Sequence, residues 1–495
     1  MTTSVIVADG EKARVFILYT GGTIGMAPED LENPDSPLVA KPLDELLQYV
    51  PGLANEGITL GFASFDEPLD STEVMADHWL KMAAEIEQVY EEYDGFVILH
   101  GTDTMAYTTS GLSFIMENLA KPVVVTGSQL PISSARTDAV QNFVASVFLA
   151  GYKATNLPLI PEVMLCFADR VLRGNRARKI STASWVGFDS PNFPLLATIG
   201  EHIVVNRDLI RAPADNTRSK FFVHRQLVTD ALAIDIFPGL RPSHLAALLD
   251  QEDIRAVVLK TFGVGNCPAA LWPTLSAAIE GKGGRTPKVV VNVTQCLQGS
   301  VEMGLYAASS GLLEGGVLSG LDMTPEAALV KLFWALGTIR DPQERNVQLQ
   351  IDQRGEQSEN LFDLRFIPAG QTVEPKEVHD FTQSVDGRFL VERLTKAVIR
   401  LSGVACPEAE PGQMVTIKAY LNLPPVVAPD SPEAQRYLAV ELSDTYDPDA
   451  GLFFIQDISP IVEEVVRPGP PITISLVAST PIQPRGVFLA LFARV

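Results

Sequence analysis

Two stretches of the N-terminal half share one design: RVFILYTGGTIGM at residues 14–26 and DGFVILHGTDTMA at residues 94–106. Each runs through a continuous apolar segment into a turn that contains glycine and threonine. A short apolar run that ends in a glycine turn is typical of a strand buried on both faces. The chain therefore builds the same strand-and-turn unit twice, and the two turns are the first candidates for a functional site.

The alternation of apolar runs and amphipathic segments continues to about residue 354. Further strands are predicted at 122–127, 163–168, 232–239, 256–263 and 288–296, and helices at 75–93, 107–120, 244–252 and 324–337. Strands that alternate with helices favour an α/β fold with a parallel sheet covered on both faces. Pro325, which follows Thr324, suits the first turn of the last of these helices.

Past Arg354 the pattern changes to short β-rich segments separated by proline-containing turns, such as GQMVTIKAYLNL, GLFFIQDIS and GVFLALFARV. Such spacing predicts a mainly antiparallel β-sandwich. We therefore expect an α/β protein with a two-domain parallel-sheet core and an added β-sandwich-like domain. The predicted regions are an N-terminal α/β domain at 1–210, a linker at 211–228, a second α/β domain at 229–354 and a β-rich domain at 355–495.

Composition narrows the class of protein. The chain has 495 residues, 46% of them hydrophobic, and a formal net charge of −22. This charge argues against nucleic acid or an anionic membrane as the main partner. We see no secretory signal and no apolar run of about 18 residues, and the four cysteines are scattered without CxxC spacing, so we expect reduced thiols and a cytoplasmic protein.

The two turns are candidates for the ligand site because ligands of parallel α/β sheets bind at the carboxyl ends of the strands. Glycine lets backbone N–H groups approach a developing negative charge, and a threonine hydroxyl becomes a nucleophile when a proton acceptor lies beside it. A single Gly-Gly-Thr turn also fits a tight structural connection, and GGTIGM does not satisfy the dinucleotide pattern G-x-G-x-x-G. Two such turns together favour a catalytic site.

YTGGTIGM (19–26) and VILHGTDTMAYT (97–108) resemble the two signature blocks of bacterial-type L-asparaginases, closest to the cytoplasmic type I branch. The resemblance continues through RGNRARK (173–179), FGVGN (262–266) and DMTPEA (322–327) and stops near residue 355. It implies hydrolysis of free L-asparagine to L-aspartate and ammonia, with weaker action on glutamine. It also implies a threonine nucleophile, an acyl-enzyme, a homodimer or homotetramer, and no metal or organic cofactor.

The resemblance assigns catalytic roles residue by residue. Thr23 would be the nucleophile, and Thr102 would act with Lys179 and Asp103. A lysine that accepts a proton has to be neutral part of the time, which requires a lowered pKa. The arginines at 173, 176 and 178 are the nearby cations that could lower the pKa of Lys179.

The resemblance also implies the residues that hold the substrate. Asp103 would bind the α-ammonium, and the segment Asp70, Ser71 and Thr72 the α-carboxylate. Gly22 and Gly101 would offer backbone groups, and a neighbouring subunit would contribute Asn266. Together these contacts select a free amino acid over an amide inside a peptide.

The sequence departs from the family pattern at three places. The loop at 27–42 lacks the tyrosine that relatives place there, which leaves Tyr306 as a candidate substitute. Arg178 stands where a small polar residue is expected, so regulation by a second asparagine stays open. The β-rich tail has no counterpart.

Two other functions remain open. A non-catalytic asparagine sensor or scaffold would explain the missing tyrosine. An ammonia-supplying amidotransferase subunit is disfavoured by the C-terminal position of the extra domain and by the negative charge.

Overall fold

The computed structural model describes residues 3–6, 11–30, 36, 38–40, 48–215, 217–303, 307–366, 371–385, 388–448, 451–466, 471–484 and 486–495. The chain divides into two compact units. The first consists of Met1–Ala231, Met323–Asp341 and Gln353–Glu356, and the second of Leu232–Asp322, Pro342–Asp352 and Gln357–Val495. Each unit is therefore assembled from segments that are separate in the sequence.

The first part of the chain alternates strands and helices as predicted. The strands are β1 Thr3–Ile6, β2 Ala13–Gly21, β3 Met26–Pro28, β4 Leu38–Ala40, β5 Ile58–Leu69, β6 Gly95–Leu99, β7 Met116–Glu117, β8 Val123–Thr126, β9 Val163–Phe167, β10 Arg170–Arg173, β11 Arg178–Lys179, β12 Phe188–Asp189, β13 Ala197–Ile199, β14 Ile203–Val205 and β15 Phe222–Val223. The helices are α1 Ala76–Val89, α2 Met105–Ile115, α3 Ala139–Ala150 and α4 Tyr152–Thr155.

The main sheet of the first unit has the strand order β1-β5-β2-β6-β8-β9-β10-β13-β14. Its central strands β5, β2, β6, β8 and β9 are parallel, and antiparallel strands flank them on both sides. All residues of β6 and β8 are buried, as expected for strands covered on both faces. This confirms the predicted parallel sheet and places β2 beside β6.

The middle of the chain continues with further strands and helices. The strands are β16 Ala231–Asp235, β17 Ala256–Thr261, β18 Val289–Thr294 and β19 Leu318–Ser319. The helices are α5 Pro242–Leu249, α6 Trp272–Glu280, α7 Ala307–Glu314, α8 Pro325–Thr338 and α9 Pro342–Gln350.

In the second unit, β16 to β19 form one sheet in sequence order, with β17, β18 and β19 parallel. Helix α8 belongs to the first unit. It begins as predicted, because the Thr324 hydroxyl caps it by accepting from the Ala327 N–H at 3.1 Å and Pro325 occupies the first turn.

The last part of the chain forms the predicted sandwich. Its elements are β20 Glu359–Arg365, β21 His379–Gln383, β22 Leu394–Val404, β23 Met414–Leu421, β24 Leu438–Thr445, β25 Leu452–Asp457, α10 Ser459–Val465, β26 Ile472–Ala478 and β27 Gly486–Arg494. The two sheets have the orders β20-β27-β22-β25 and β21-β26-β23-β24, and their strands are antiparallel.

One apolar core joins the two sheets of the sandwich. Ile399 and Leu491 of the first sheet belong to the same buried cluster as Ile417 and Leu476 of the second. No helix in the described part of the chain is long and apolar enough to cross a membrane. The predicted domain boundaries at 210, 228 and 354 stay predictions.

Candidate active site

The two glycine-threonine turns meet. Strands β2 and β6 are parallel neighbours, so both turns emerge at the same edge of the sheet. A Cβ atom placed on Gly22 would lie 2.3 Å from the backbone nitrogen of Gly101 and 2.4 Å from its Cα. Gly22 also has a φ of 87°, a conformation that glycine adopts without strain. The close approach of the two backbones therefore requires glycine at position 22.

Thr23 opens the first turn, a short 3-10 segment from Thr23 to Gly25. Its side chain is half-buried, and its hydroxyl is hydrogen-bonded to none of the described residues. Below the turn lies the buried ring of Tyr19, whose hydroxyl would be 2.1 Å from a Cβ at Gly25. Burial raises the pKa of Tyr19, so the phenol stays neutral. The turn thus presents the Thr23 hydroxyl, without a hydrogen bond to the described residues, above the buried Tyr19 ring.

Lys179 connects the two polar side chains of the second turn. Its Nζ atom donates to Thr102 Oγ1 at 2.9 Å and to Asp103 Oδ1 at 2.6 Å. The lysine side chain is 20% exposed and that of Asp103 57% exposed. The three residues that the sequence predicted to act together are therefore in direct contact, and the carboxylate keeps a face open to solvent.

Ser71 packs beneath the second turn. It is buried, its Oγ accepts from the Asp103 N–H at 3.2 Å, and its carbonyl accepts from Thr104 Oγ1 at 2.7 Å. A Cβ at Gly101 would lie 2.6 Å from Ser71 Oγ. Ser71 therefore positions Gly101, Asp103 and Thr104 at once.

Asp70 and Thr72 form a local turn next to Ser71. Asp70 Oδ1 accepts from the Thr72 backbone N–H at 2.9 Å and from its hydroxyl at 2.8 Å. These two hydrogen bonds, the backbone one first, lower the pKa of Asp70. The carboxylate therefore holds the turn in the anionic form, and the Thr72 hydroxyl is engaged within it.

His100 supports the second turn from inside the sheet, a role that the sequence analysis missed. Its Nδ1 is 2.6 Å from the Gly101 carbonyl oxygen and its Nε2 is 3.0 Å from Thr108 Oγ1. Since a carbonyl oxygen can only accept, the ring proton is on Nδ1. The neutral Nε2 then accepts from the Thr108 hydroxyl, which itself accepts from Trp79 Nε1 at 3.0 Å. Burial lowers the pKa of His100 to about 4, so the ring stays neutral. The signal for it was a polar residue that ends a fully buried strand.

The segment that precedes Lys179 is bound to residues from much later in the chain. Asn175 Nδ2 donates to the Arg354 carbonyl at 3.0 Å, and Arg176 Nη1 to the Glu356 carbonyl at 2.9 Å. The Glu356 carboxylate in turn forms an ion pair of 2.6 Å with Lys331 of α8, and both side chains are 0% exposed. A buried ion pair thus anchors the peptide that holds this segment.

The arginines expected to influence Lys179 have other partners. Arg173 forms a buried ion pair with Glu162 at 2.5 Å. Arg178, directly before the lysine, lies 3.3 Å from Glu326 in the first turn of α8. These contacts of Arg173 and Arg178 position the backbone that precedes Lys179.

Asn266 and Tyr306 are the two other predicted site residues. Asn266 lies in the second unit, in a turn after β17 where its N–H donates to the Phe262 carbonyl at 2.8 Å. Tyr306 lies outside the described residues, as does part of the loop at 27–42. Within the described residues there is no group of three histidine, cysteine, aspartate or glutamate side chains that could hold a metal ion.

Two family models match the chain. The model "Asparaginase, N-terminal" matches residues 14–211, and "Glutaminase/Asparaginase C-terminal domain" matches residues 232–347. Together they span most of the chain and contain the two turns, Lys179 and Asn266. The β-sandwich lies outside both matches.

Proteins similar to this chain include two L-asparaginases and a lysophospholipase. The chain is 38% identical to L-asparaginase 1 of Escherichia coli K12 over 350 residues, which covers 70% of this chain and 98% of that protein. It is 34% identical to the 60 kDa lysophospholipase of Mus musculus over 442 residues, which covers 84% of this chain and 74% of that protein. The crystal structure of L-asparaginase I from Vibrio cholerae superposes with a TM-score of 0.62 at 37% identity, over 70% of this chain and 99% of that one.

Proposed function

The chain belongs to the asparaginase family of hydrolases, and from this premise we propose that it hydrolyses free L-asparagine to L-aspartate and ammonia, with weaker action on L-glutamine. The contact of Lys179 with Thr102 and Asp103, at 2.9 Å and 2.6 Å, carries this proposal. A merely structural turn has no need for a lysine between a threonine and a half-exposed carboxylate.

In the proposed mechanism, Thr23 is the nucleophile. Its Oγ forms a bond to the side-chain amide carbon while the hydroxyl proton passes to the leaving nitrogen, and the C–N bond breaks to release ammonia. Water then attacks the acyl-threonine ester, the C–O bond to Thr23 breaks, and aspartate departs. Backbone N–H groups at the adjoining Gly22 and Gly101 turns supply the oxyanion donors, each worth about 3 kcal/mol of barrier.

Thr102 and Lys179 move the protons in this scheme. The lysine amine, when neutral, accepts a proton through the Thr102 hydroxyl, and the ammonium returns it to the leaving group. Asp103 binds the α-ammonium of the substrate with its exposed face, and the segment Asp70–Thr72 binds the α-carboxylate. These two charged contacts select a free amino acid.

Assembly and location complete the proposal. We place the enzyme in the cytoplasm as a homodimer or homotetramer in which Asn266 of one subunit completes the site of its neighbour. This arrangement is what the resemblance to cytoplasmic type I asparaginases implies. Tyr306 remains the candidate for the group that activates Thr23.

The test is ammonia release from L-asparagine, D-asparagine and L-glutamine by the full-length protein and by Thr23→Ala, Thr102→Ala and Lys179→Met. We expect release from L-asparagine to be fastest and each variant to lose at least about a thousandfold in kcat, since the three groups act as one unit. Thr155→Ala, whose hydroxyl caps a helix end by donating to the Phe148 carbonyl, is the matched control and keeps full activity.

Near-normal turnover by any of the three variants would refute the mechanism. Release from none of the amides by the wild type would refute the activity and favour the sensor or scaffold.

A second candidate rests on a match that extends further along the chain. The mouse relative named 60 kDa lysophospholipase covers 84% of this chain, against 70% for the E. coli enzyme. Hydrolysis of a lysophospholipid ester is the same acyl transfer to a hydroxyl nucleophile with an alcohol as leaving group. Fatty-acid release from lysophosphatidylcholine, lost in Thr23→Ala, would establish it; release unchanged in that variant would place an ester activity elsewhere.

A further inference from the structure

The outer face of one sandwich sheet carries a second set of charges, away from the turns described above. Strands β20, β22, β25 and β27 turn one face toward the sandwich core. On their other face, Val398, Ala490 and Phe492 form a separate buried cluster with Leu321. Since Leu321 precedes the sandwich in the chain, this face is covered by the preceding part of the second unit.

A cavity of about 290 Å³ lies at this junction. Its walls are apolar on several sides, formed by Met303, Val398, Ile455 and Phe492. Met303, Val398 and Phe492 are each buried. At about 30 Å³ for each water-sized group, the cavity has room for roughly ten non-hydrogen atoms.

Arg400 lines this cavity and forms no hydrogen bond or ion pair with the described residues. Its side chain is 5% exposed, and its Nε atom has no hydrogen-bond partner among the described residues. Within the same part of the chain, no carboxylate lies within 4.0 Å of its guanidinium, and Asp363 and Glu302 act on it only through space. A buried guanidinium in this state is costly, because a charge removed from water is stabilised only when it is paired and hydrogen-bonded.

The other charged groups of the cavity have partners. Lys396 donates to Glu302 at 2.8 Å, which neutralises both. Asp457 Oδ1 accepts from the N–H of Ser459 at 3.0 Å and from its hydroxyl at 2.6 Å. Arg400 is therefore the lining cation whose N–H groups have no direct acceptor among the described residues, and Asp457 is a partly used anion at the exposed edge.

We propose that this cavity binds a small monocarboxylate with an apolar body. The ligand carboxylate pairs with the Arg400 guanidinium, whose fork of N–H donors matches carboxylate geometry. The apolar body contacts Val398, Ile455 and Phe492. Two sources share this chemistry, a free apolar amino acid and a short branched fatty acid, and Asp457 distinguishes them if it binds an α-ammonium.

The test is isothermal titration of the full-length protein with three compounds that share one apolar skeleton. L-Leucine carries both charges, 4-methylpentanoate lacks the ammonium, and 3-methylbutylamine lacks the carboxylate. We expect saturable binding of at least one of the two carboxylates and none of the amine. Leucine at least tenfold tighter than 4-methylpentanoate identifies an amino-acid site; equal or weaker leucine binding identifies a fatty-acid site.

Variants connect the binding to the cavity. Arg400→Met is expected to weaken carboxylate binding at least tenfold, and Arg400→Lys to weaken it less, because the charge remains but the fork is lost. Lys418→Met is the matched control: Lys418 lies on the sandwich, 3.5 Å from Glu441, and its loss leaves binding unchanged. Circular dichroism and the melting temperature check that each variant is folded.

Three results would overturn the proposal. The first is that neither carboxylate binds at a ligand concentration of about 10 mM. The second is that the amine binds as tightly as the carboxylates. The third is that binding is unchanged in a folded Arg400→Met or Arg400→Lys variant. Asparaginase turnover plays no part in this test, so its outcome is independent of the proposed activity.

Discussion

In the first unit, Lys331 and Glu356 lie 2.6 Å apart and neither side chain is exposed. In the second unit, Arg400 is 5% exposed and its Nε has no partner among the described residues, while Oδ1 of Asp363, on the same sheet, is shielded from solvent and equally unpartnered. Both regions remove a cation and a carboxylate from water. They differ in whether the protein itself completes the pairing.

The protonation of the two carboxylates follows this difference. Burial alone would raise the pKa of Glu356, but Lys331 and the backbone N–H groups outweigh it and hold the pKa below its usual range. The Arg354 N–H is one of these groups and donates to Glu356 at 2.7 Å, and the Gln353 N–H contacts the same carboxylate at 3.0 Å. At Asp363 burial prevails and raises the pKa, although Arg400 and Arg365 oppose it.

The comparison teaches how to interpret a buried charge. A pair that is complete within the protein holds a segment in place, here the peptide that binds Asn175 and Arg176 ahead of Lys179. A charge that the protein leaves without a partner indicates a ligand, because the cost of burial is otherwise uncompensated. The following variants test whether the two regions differ in this way.

Lys331→Met has the largest expected effect, since it leaves Glu356 as a buried, unpaired anion. The free energy of unfolding of the first unit is expected to fall by about 3–5 kcal/mol. Hydrogen exchange of the α8 amides as a function of urea measures it locally, which avoids treating the whole chain as a two-state system. The double variant Lys331→Met/Glu356→Gln is the control and recovers most of the loss. A loss below about 1 kcal/mol in the single variant would contradict the structural role of the pair.

The acid sensitivity of the first unit is the second test. Because the folded pKa of Glu356 lies below its ordinary value of 4.5, the stabilisation is present above pH 4.5 and is lost as the pH falls below it. Between pH 5 and pH 3 the wild type is expected to lose about 2 kcal/mol more stability than the double variant. Parallel acid-dependence curves for the two proteins would show that the pair is not ionised in the folded chain.

The effect of Arg178→Met on kcat tests whether a paired charge of the first unit positions Lys179. The substitution removes the contact with Glu326 that orients the backbone before Lys179, so we expect kcat for asparagine to fall about tenfold, about 1.4 kcal/mol, with little change in KM. Arg225→Met, which removes a more exposed ion pair with Glu87 in the same unit, is the control and keeps its kcat. An increase of KM alone would mean that Arg178 affects substrate binding instead of the position of Lys179.

Arg400→Met has the smallest expected effect on stability. Since the guanidinium forms no hydrogen bond or ion pair with the described residues, its replacement by an apolar side chain is expected to change the free energy of unfolding by less than about 1 kcal/mol, or to raise it. Urea unfolding followed by a probe in the sandwich measures this. A loss as large as that of Lys331→Met would show that the two regions are alike and would remove the basis of the comparison.

Much of the fold was predictable from local patterns. Continuous apolar runs such as 95–99 identified the buried parallel strands, and proline-separated β segments after 354 identified the sandwich. The capped start of α8 at Thr324 and Pro325 was also readable, because capping depends on neighbouring residues. These features are local, so the sequence encodes them directly.

Contacts between segments that are distant in the sequence were harder to predict from it. The shared edge of the sheet predicted that the turns at Gly22 and Gly101 lie close, but not that their backbones touch. Nothing near Arg178 indicated Glu326 as its partner, and nothing near His100 indicated Thr108 and Trp79. Such contacts depend on how elements pack, which local periodicity does not contain.

The order of segments in the first unit has a consequence for biosynthesis. Helix α8 and the Glu356 segment are required to complete the unit, yet they follow the residues up to 322 that belong to the second unit. A ribosome that has finished residue 231 must therefore continue for roughly ten seconds before the buried Lys331 acquires its partner. Throughout that time the nascent chain exposes the surface that α8 later covers, which makes this interval the stage at which a chaperone has most to protect.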